Sequence, residues 1–418
     1  MKVAQKYKIL MFSDHALSTS GVGTQSRYLA MKLIDTGKYT FRQFGAAIRH
    51  SDYSNMQPHE DFIIKPIDGF GTPEMIRVAL AMEKPDAVMI FNDPRFFIHF
   101  WEMEDEIHQV CPLVYWHLWD DCEFPPIYNK LLYDSTDLIN CINRPTHDFL
   151  KPLYPEKVNW APHGVPSDLF HPLPDDVIKS DRKLLLQDRP DDTLIVLWVA
   201  RNAPRKKPGD VVWAWKLFLD ELEKKHGHRN ALLVMHCDPF DVEGPNMFQV
   251  LDLFNVRKEV LFSNDKVNFG DMARLYNACD TLINRSSAEG FGLPVLEAMM
   301  CGKPVIALKT GGLTRQVVDW RDGSENGIAL PVELSSMNGS QAVPYIMDNF
   351  VTNETVVKAL MTMYEMGPDK RKELGKKAME YASFEFNLDT ITKTWDESLE
   401  DCIKNWKSRY KRWEKVTI

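Results

Sequence analysis

Residues 287–306 read SAEGFGLPVLEAMMCGKPVI, and this stretch decides the fold of the chain. Two glutamates, Glu289 and Glu297, lie on either side of a glycine-containing turn, and Pro294 stands where a first helical residue is favoured. The apolar run at 281–284 before the turn predicts a buried strand. The turn therefore leaves the carboxyl end of a strand, where open α/β sheets bind their ligands.

The same turn has the chemistry of a sugar and anion site. Phe291, Gly292 and Leu293 end the turn, and the free amides at the helix start would face phosphate or sugar oxygens. The carboxylate of Glu297 can accept hydrogen bonds from two adjacent ribose hydroxyls, and Glu289 could hold the hydroxyls of a transferred sugar. Alternatively, Glu297 only complements the helix dipole and Glu289 is an exposed loop residue. The two glutamates and the glycines at these spacings together favour the functional interpretation.

Apolar runs alternate with helical stretches along the whole chain, which predicts parallel sheets covered by helices. A polar stretch rich in proline, 162–192, reads as a linker, and the alternation restarts after it. The predicted strands are 8–13, 87–91, 113–116, 138–142, 193–200, 231–236, 281–284 and 304–308, with helices at 27–36 and 211–224. We therefore predict a domain at 1–170, a linker at 171–192, a second domain at 193–394 and a terminal helix at 395–418.

Composition narrows the class of protein. The chain has 418 residues and a net charge of -9, so a basic footprint for nonspecific polyanion binding is absent and a nucleic-acid partner is disfavoured without being excluded. Seven scattered cysteines with no C-x-x-C pair argue against a disulfide framework or a zinc site and fit a reducing cytoplasm. No run is long enough for a membrane span, and the first apolar residues predict a strand and not a signal peptide.

Beyond these patterns, the chain resembles the retaining glycosyltransferases of the GT-B fold that use nucleotide-sugar donors. The E-x7-E signature of that family is matched in register by Glu289 and Glu297. The resemblance continues through 268–280 before the signature and 302–306 and 311–312 after it, and it covers roughly 155–330. It implies two Rossmann-like domains facing across a cleft, a donor held by the second domain, and a terminal helix that crosses back to the first.

The resemblance also implies roles for two basic residues. Arg201 and Lys206 follow the predicted strand 193–200 at the five-residue spacing that the family shows. Their chemistry is plausible by itself, because fixed cations stabilise the negative charge that develops on a departing diphosphate. A solvated basic turn is the alternative. Arg205 and Lys207 are weaker candidates for the same role.

Three further positions resemble family residues less closely. Gly21 and Gly23 form a short glycine loop after the first strand, which could approach a phosphate or sugar, or could be an ordinary strand–helix turn. His117 follows the strand 113–116, where the family often has a donor-sugar histidine, but Leu118 replaces the usual acid. Arg315 stands where the family commonly has an acid. The resemblance therefore makes His117 a candidate catalytic residue and leaves a structural histidine as the alternative.

The C-terminus predicts an amphipathic helix. Ile403, Trp406, Tyr410 and Trp413 form one apolar stripe, with basic residues around it. Such a stripe indicates either packing on the protein or attachment to an anionic membrane surface.

These features predict transfer of a sugar from a nucleotide-diphosphate sugar to an acceptor hydroxyl of unknown class, with retention of configuration. The sequence has no D-x-D pair of aspartates, which favours a site without metal and without a cofactor. The alternatives are a phosphorylase or epimerase on the same fold, a non-catalytic nucleotide-sugar-binding protein, and transfer to the hydroxyl of a nucleic-acid base.

Overall fold

The computed structural model describes residues 6–47, 52–120, 124–263 and 268–409. Two sheets dominate these residues. The first has the strand order β3-β4-β2-β1-β5-β6-β7-β8 and is parallel except for the edge strand β3; it consists of β1 Tyr7–Asp14, β2 Tyr39–Ala46, β3 Met56–His59, β4 Phe62–Pro66, β5 Ala87–Asn92, β6 Leu113–His117, β7 Leu138–Cys141 and β8 Val158–Trp160.

The second sheet is fully parallel, with the order β11-β10-β9-β12-β13-β14. Its strands are β9 Leu194–Val199, β10 Ala231–His236, β11 Val260–Ser263, β12 Thr281–Asn284, β13 Val305–Leu308 and β14 Gly327–Leu330. An antiparallel hairpin of β15 Leu334–Asn338 and β16 Ile346–Phe350 lies outside both sheets.

Helices cover the sheets and connect the strands. They are α1 Gly21–Asp35, α2 Pro73–Glu83, α3 Ile98–Glu102, α4 Glu104–Ile107, α5 Lys130–Ser135, α6 Arg144–Leu150, α7 Asp175–Leu186, α8 Pro208–His226, α9 Met247–Phe254, α10 Phe269–Ala278, α11 Leu293–Met300, α12 Thr314–Val317, α13 Asn353–Glu365, α14 Gly367–Glu385 and α15 Leu388–Arg409. Within the described ranges, no helix combines the length and apolar character that crossing a membrane requires.

The strand β1 shows why the central strands are apolar throughout. Ile9 and Met11 point into one buried layer, whereas Leu10 and Phe12 point into another, and all four are fully buried. A parallel strand that is covered on both faces needs apolar residues at successive positions, without the alternation of a half-exposed strand. The predicted α/β fold is therefore confirmed, and the ends of the predicted strands differ by one or two residues.

The predicted linker contains a helix that the sequence analysis missed. The helix α7 lies inside 171–192 and packs on α10, where Arg274 forms a two-pronged ion pair with Asp181 at 2.5 and 2.9 Å. No proline interrupts the helix, because Pro172 and Pro174 precede its first residue and Pro190 follows its end. The domain boundaries themselves stay predictions.

The terminal helix α15 begins at Leu388, seven residues before the predicted start, and lies on the first domain. Trp395 is fully buried against Trp116, with ring centroids 5.0 Å apart. Trp406 of the predicted stripe is also buried and stacks on His108. This part of the stripe packs on the protein; Tyr410 and Trp413 lie outside the described residues, where the membrane-surface hypothesis stays a prediction.

Candidate functional site

A cavity of about 900 Å³ lies between the two sheets, at the carboxyl ends of their strands. On the first-domain side it is lined by residues that end or follow β1, β5 and β6. On the second-domain side it is lined by residues that follow β9 and β12 and by the hairpin β15–β16. Ligands of parallel sheets bind at this end, and a cleft between two such sheets can hold a ligand from both sides.

Most of the predicted donor-site residues meet at this cavity. Its lining includes Gly21, Arg201, Lys206, Glu289, Phe291, Gly292 and Leu293. Three predicted residues, Gly23, His117 and Glu297, are absent from the lining.

The turn that carries Glu289 is shaped by two glycines. Gly292 has a φ of 90° and is the N-cap of α11 without a side-chain cap, so the first amides of the helix have no side-chain acceptor there. Gly311 has a φ of 47°, and a Cβ there would lie 1.9 Å from the carbonyl oxygen of Glu289. The same carbonyl accepts a hydrogen bond from the amide of Gly312 at 2.9 Å. The chain after β13 therefore holds the backbone of Glu289 in place.

Glu289 is buried and ion-paired with Lys206, while the guanidinium of Arg205 lies 3.8 Å from its other oxygen. Burial by itself raises the pKa of the Glu289 carboxyl, but the charges of Lys206 and Arg205 outweigh it and lower that pKa. Burial lowers the pKa of Lys206, and the charge of Glu289 partly opposes this. We expect both groups of this pair to be ionised, because each stabilises the charge of the other.

A second contact fixes the basic turn to the glutamate turn. Arg205 donates to the carbonyl of Ala288 at 2.5 Å, and the amide of Ser287 donates to the carbonyl of Arg205 at 2.9 Å. Sequence reasoning ranked Arg205 below Arg201, yet Arg205 is the arginine that lies beside Lys206 and Glu289.

Arg201 lines the same cavity but is directed to another loop. Its guanidinium donates to both oxygens of Asp241 at 2.7 and 3.0 Å and lies 3.1 Å from Glu243. The hydrogen bond to Asp241 raises the pKa of Arg201, and the side chain is 56% exposed. An exposed arginine with two carboxylate partners can exchange them for a ligand phosphate at small cost.

Glu297 lies on α11 behind the turn, and the hydroxyl of Tyr276 donates to its carboxylate at 2.6 Å. Burial raises the pKa of Glu297 to about 7, and the hydrogen bond from Tyr276 opposes the rise. The predicted ribose ligand therefore has a partner from the protein and does not line the main cavity.

His117 and Gly23 contact other groups of the protein. The ring of His117 is fully buried, its Nε2 lies 3.0 Å from the hydroxyl of Tyr133, and burial lowers its pKa to about 3. The amide of Gly23 donates to the N-cap oxygen of Ser20 at 3.0 Å, and a Cβ at Gly23 would lie 2.4 Å from the carbonyl of His15. Gly21 and Gly23 thus lie in the first turn of α1 and not in the predicted loop before it, and neither Gly23 nor His117 belongs to the cavity lining.

Sequence reasoning found Gly21 on the first-domain wall of the cavity but did not assign to the site its residues Asp14, Ser20, Asn92, Asp93, Arg95, Trp119 and Asp120, or His163 from the segment after β8. Asp14 ends β1, and Asn92 ends β5. The signal that could have found them is the one that located Glu289, since a polar residue at the carboxyl end of a buried parallel strand faces the ligand edge of the sheet. Among the described residues, no group of three or more histidine, cysteine or acidic side chains could hold a metal ion.

Comparison with known proteins agrees with this geometry. Residues 186–359 match the family described as Glycosyl transferases group 1. Over 172 residues the chain is 33% identical to a D-inositol 3-phosphate glycosyltransferase of Stackebrandtia nassauensis. That match covers 40% of this chain and only 37% of the relative, so it spans well under half of the relative's length.

Solved structures extend the similarity over nearly the whole chain. A sucrose-phosphate synthase from Thermosynechococcus elongatus is similar with a TM-score of 0.73 at 17% identity, covering 95% of this chain and 99% of that one. Anabaena Alr3699/HepE in complex with UDP and glucose is similar with a TM-score of 0.68 at 17% identity, covering 94% and 100%. These likenesses show that the fold is GT-B, as the sequence analysis predicted.

Proposed function

We propose that this protein is a glycosyltransferase that moves a sugar from a nucleotide-diphosphate sugar to an acceptor hydroxyl. The observation that carries the proposal is the convergence of Arg205 and Lys206 on Glu289 in one interdomain cavity. The group 1 domain at 186–359 supports the proposal, since it contains all three residues.

The two cations have the chemistry that the leaving group requires. When the bond between the sugar C1 and the diphosphate oxygen breaks, negative charge increases on the diphosphate. Lys206 and Arg205 lie beside the start of α11, where backbone amides also favour an anion. Because the negative charge increases during bond breaking, these groups stabilise the transition state more than the ground state. Arg201, at the rim, can add a third cation when it exchanges Asp241 for a phosphate oxygen.

Glu289 is the proposed ligand for hydroxyls of the transferred sugar. Its lowered pKa keeps it ionised at neutral pH, and an ionised carboxylate accepts hydrogen bonds at both oxygens. Its ion pair with Lys206 places the sugar hydroxyls next to the cation that receives the leaving group. The predicted ribose contact of Glu297 requires that Tyr276 share or release the carboxylate.

We further propose transfer with retention and without a metal ion. In a same-face transfer, the leaving phosphate oxygen accepts the proton of the acceptor hydroxyl while the acceptor oxygen bonds to C1. This route needs fixed cations at the diphosphate and no separate base. It is supported by the three basic residues on the second-domain wall of the cavity. The six cysteines that the structure describes are free and buried, which is compatible with the proposed cytoplasmic location.

A donor screen tests the function. UDP-sugars form the first set, because a structural neighbour was solved with UDP and glucose, and donor hydrolysis and transfer are followed by mass spectrometry with and without EDTA. We expect Arg205→Ala to lower turnover at least tenfold with a smaller effect on nucleotide affinity. Lys130→Met, at an exposed i,i+4 ion pair on the first domain, is the matched control and should be unchanged. Equal turnover in wild type and Arg205→Ala would contradict the assigned role of Arg205. An anomeric proton signal that shows inverted configuration in the product would contradict retention.

A further inference from the structure

The charges of the cavity are divided between its two walls. The second-domain wall carries three cations, Arg201, Arg205 and Lys206, and one carboxylate, Glu289. The first-domain wall has the opposite balance, with three carboxylates and one arginine. A donor diphosphate is therefore attracted to one side of the cavity and repelled from the other.

The first carboxylate of the acidic wall is held by the protein in a fixed position. Asp14 is 6% exposed at the end of β1. The hydroxyl of Ser20 donates to its Oδ2 at 2.6 Å, and the side-chain amide of Asn92 donates to its Oδ1 at 2.5 Å. Each carboxylate oxygen has a second lone pair, so a hydroxyl of a bound molecule can donate to the same group.

The single arginine of this wall, Arg95, is paired with a carboxylate of the same wall. Arg95 donates to both oxygens of Asp93, at 2.9 and 2.5 Å, within the turn that follows β5. Asp93 also accepts from the amide of Arg95, so the pair is tied to the backbone. A phosphate on a bound molecule would have to displace Asp93 to reach this guanidinium.

The third carboxylate lies where the two walls meet. Asp120 is 3.4 Å from the guanidinium of Arg205, and its Oδ1 would lie 2.8 Å from a Cβ at Gly290. The loop after β6 therefore places a carboxylate directly over the turn of Glu289. Gly290 permits this approach because it has no side chain.

Two ring nitrogens on side chains of the cavity wall lack a hydrogen-bond partner. Trp119 and His163 line the cavity, are each 4% exposed, and have a buried nitrogen without a hydrogen-bond partner in the described part of the chain, Nε1 and Nδ1 respectively. Burial lowers the pKa of His163 to about 3, so its ring is neutral. Buried polar groups are normally satisfied, and a hydroxyl is the group that can satisfy both an indole N–H and a neutral imidazole.

We propose that the acceptor is an uncharged polyhydroxylated molecule, a sugar or cyclitol unit, that binds against Asp14, Asp120 and Trp119, and that this wall excludes acceptors phosphorylated near the reacting hydroxyl. The inference rests on the proposed function and specifies its acceptor. The named relative acts on an inositol phosphate, but the family match at 186–359 contains none of the wall residues. Like charges that face each other repel, so a phosphate ester should bind beside these carboxylates less well than the uncharged molecule.

The test compares acceptors that differ only in a phosphate. The full chain is assayed with its best donor and with matched pairs: glucose and glucose 6-phosphate, myo-inositol and its 3-phosphate, fructose and fructose 6-phosphate. We expect kcat/KM to be at least tenfold higher for the uncharged member of the productive pair. The double variant Asp14→Asn, Asp120→Asn should lower that preference at least fivefold, whereas Asp176→Asn, on the exposed first turn of α7, should leave it unchanged.

Two results would overturn the inference: a preference for the phosphate ester, and an unchanged preference in the double variant with a wild-type melting temperature. Donor hydrolysis without transfer to any uncharged polyol would also overturn it, while leaving the proposed function in place. If no nucleotide sugar bound or was hydrolysed, the proposed function itself would fail, and the acceptor inference with it.

Discussion

Tyr276 of α10 donates its hydroxyl hydrogen to the carboxylate of Glu297 on α11 at 2.6 Å. This contact joins the helix before β12 to the helix after it, and both residues belong to the layer behind the cavity. Burial raises the pKa of Tyr276 well above its usual value, so the hydroxyl keeps its proton and remains a donor. Glu297 is therefore a titrating group inside the second domain.

Because burial raises the pKa of Glu297 to about 7, stability should fall as the pH rises through neutrality. The folded pKa lies above the unfolded value of 4.5, so the stability that this carboxyl contributes is fully present below pH 4.5 and lost as pH rises through about 7. The shift in the pKa of Glu297 corresponds to a change on the order of 3 kcal/mol in the free energy of unfolding. We expect Glu297→Gln to raise the melting temperature relative to wild type at pH 8 and not at pH 5. Glu397→Gln, at an exposed surface pair, is the control and should show no such dependence.

Removing Lys206 should destabilise the protein because Glu289 would keep a buried charge. Lys206→Met should lower the free energy of unfolding by about 3 kcal/mol, because removing one partner of a buried ion pair leaves the other charge uncompensated. Arg205 remains near Glu289 and offsets part of this loss. The double variant Lys206→Met, Glu289→Gln should recover most of the stability but none of the turnover. Thermal unfolding and donor turnover measured on the same preparations separate the two effects. Recovery of turnover in the double variant would contradict the proposed role of Lys206.

The sequence predicted the central strands and the glutamate turn because their signals are local. The strands β1, β5 and β9 are continuous apolar runs, which buried parallel strands require. The edge strand β3 has mostly exposed residues, and β2 mixes polar with apolar residues, so neither has a clear period. The helix α7 was missed for the same reason, since only Asp181 and Leu186 of it are buried.

The parts of the site that escaped prediction depend on contacts between distant segments. Arg201 has the spacing of a family residue, but its direction is set by Asp241, 40 residues away. Arg205 is directed to the glutamate turn by the carbonyl of Ala288, 83 residues away. The acidic wall of Asp14, Asp93 and Asp120 is brought together by the strand order of the first sheet, which the sequence does not state. Spacing thus locates a basic turn but does not say which arginine faces the ligand.

Gly311 should be intolerant of a side chain because it contacts the backbone of Glu289. A Cβ at this position would lie 1.9 Å from the carbonyl of Glu289, and the φ of 47° is unfavourable for most residues with a side chain. We expect Gly311→Ala to lower the melting temperature by several degrees and to abolish most turnover. Gly209→Ala is the matched control, because that glycine lies in the first turn of α8 with nothing within 4 Å of the new Cβ, and it should be neutral or slightly stabilising. Similar turnover in both variants would contradict the proposal that Gly311 holds the backbone of Glu289 in place.

The hairpin β15–β16 connects the glutamate turn to the first domain. At its base, the amide of Asn349 donates to the carbonyl of Ser287 at 2.7 Å. Near its other end, the hydroxyl of Tyr345 donates to the carbonyl of Pro125 at 2.8 Å and accepts from the amide of Ile127 at 3.3 Å, and its ring contacts Tyr128. The hairpin therefore spans the cavity from the donor turn to the opposite domain.

Tyr345→Phe should loosen this connection without disturbing the fold. The variant keeps the ring contact but loses both hydrogen bonds of the hydroxyl, a change worth about 1 kcal/mol. We expect hydrogen exchange at the amide of Ile127 to become faster, although this amide still donates to the carbonyl of Pro125 at 2.8 Å. Donor hydrolysis should increase relative to transfer, because water enters a less closed cleft. Tyr53→Phe removes a hydroxyl that bonds to Asp68 on the exposed surface and is the matched control. If the exchange rate and the ratio of hydrolysis to transfer were the same in both variants, the hairpin would not hold the two sides of the cavity together. Faster exchange with an unchanged ratio would instead show that the contact holds the loop but does not close the cleft.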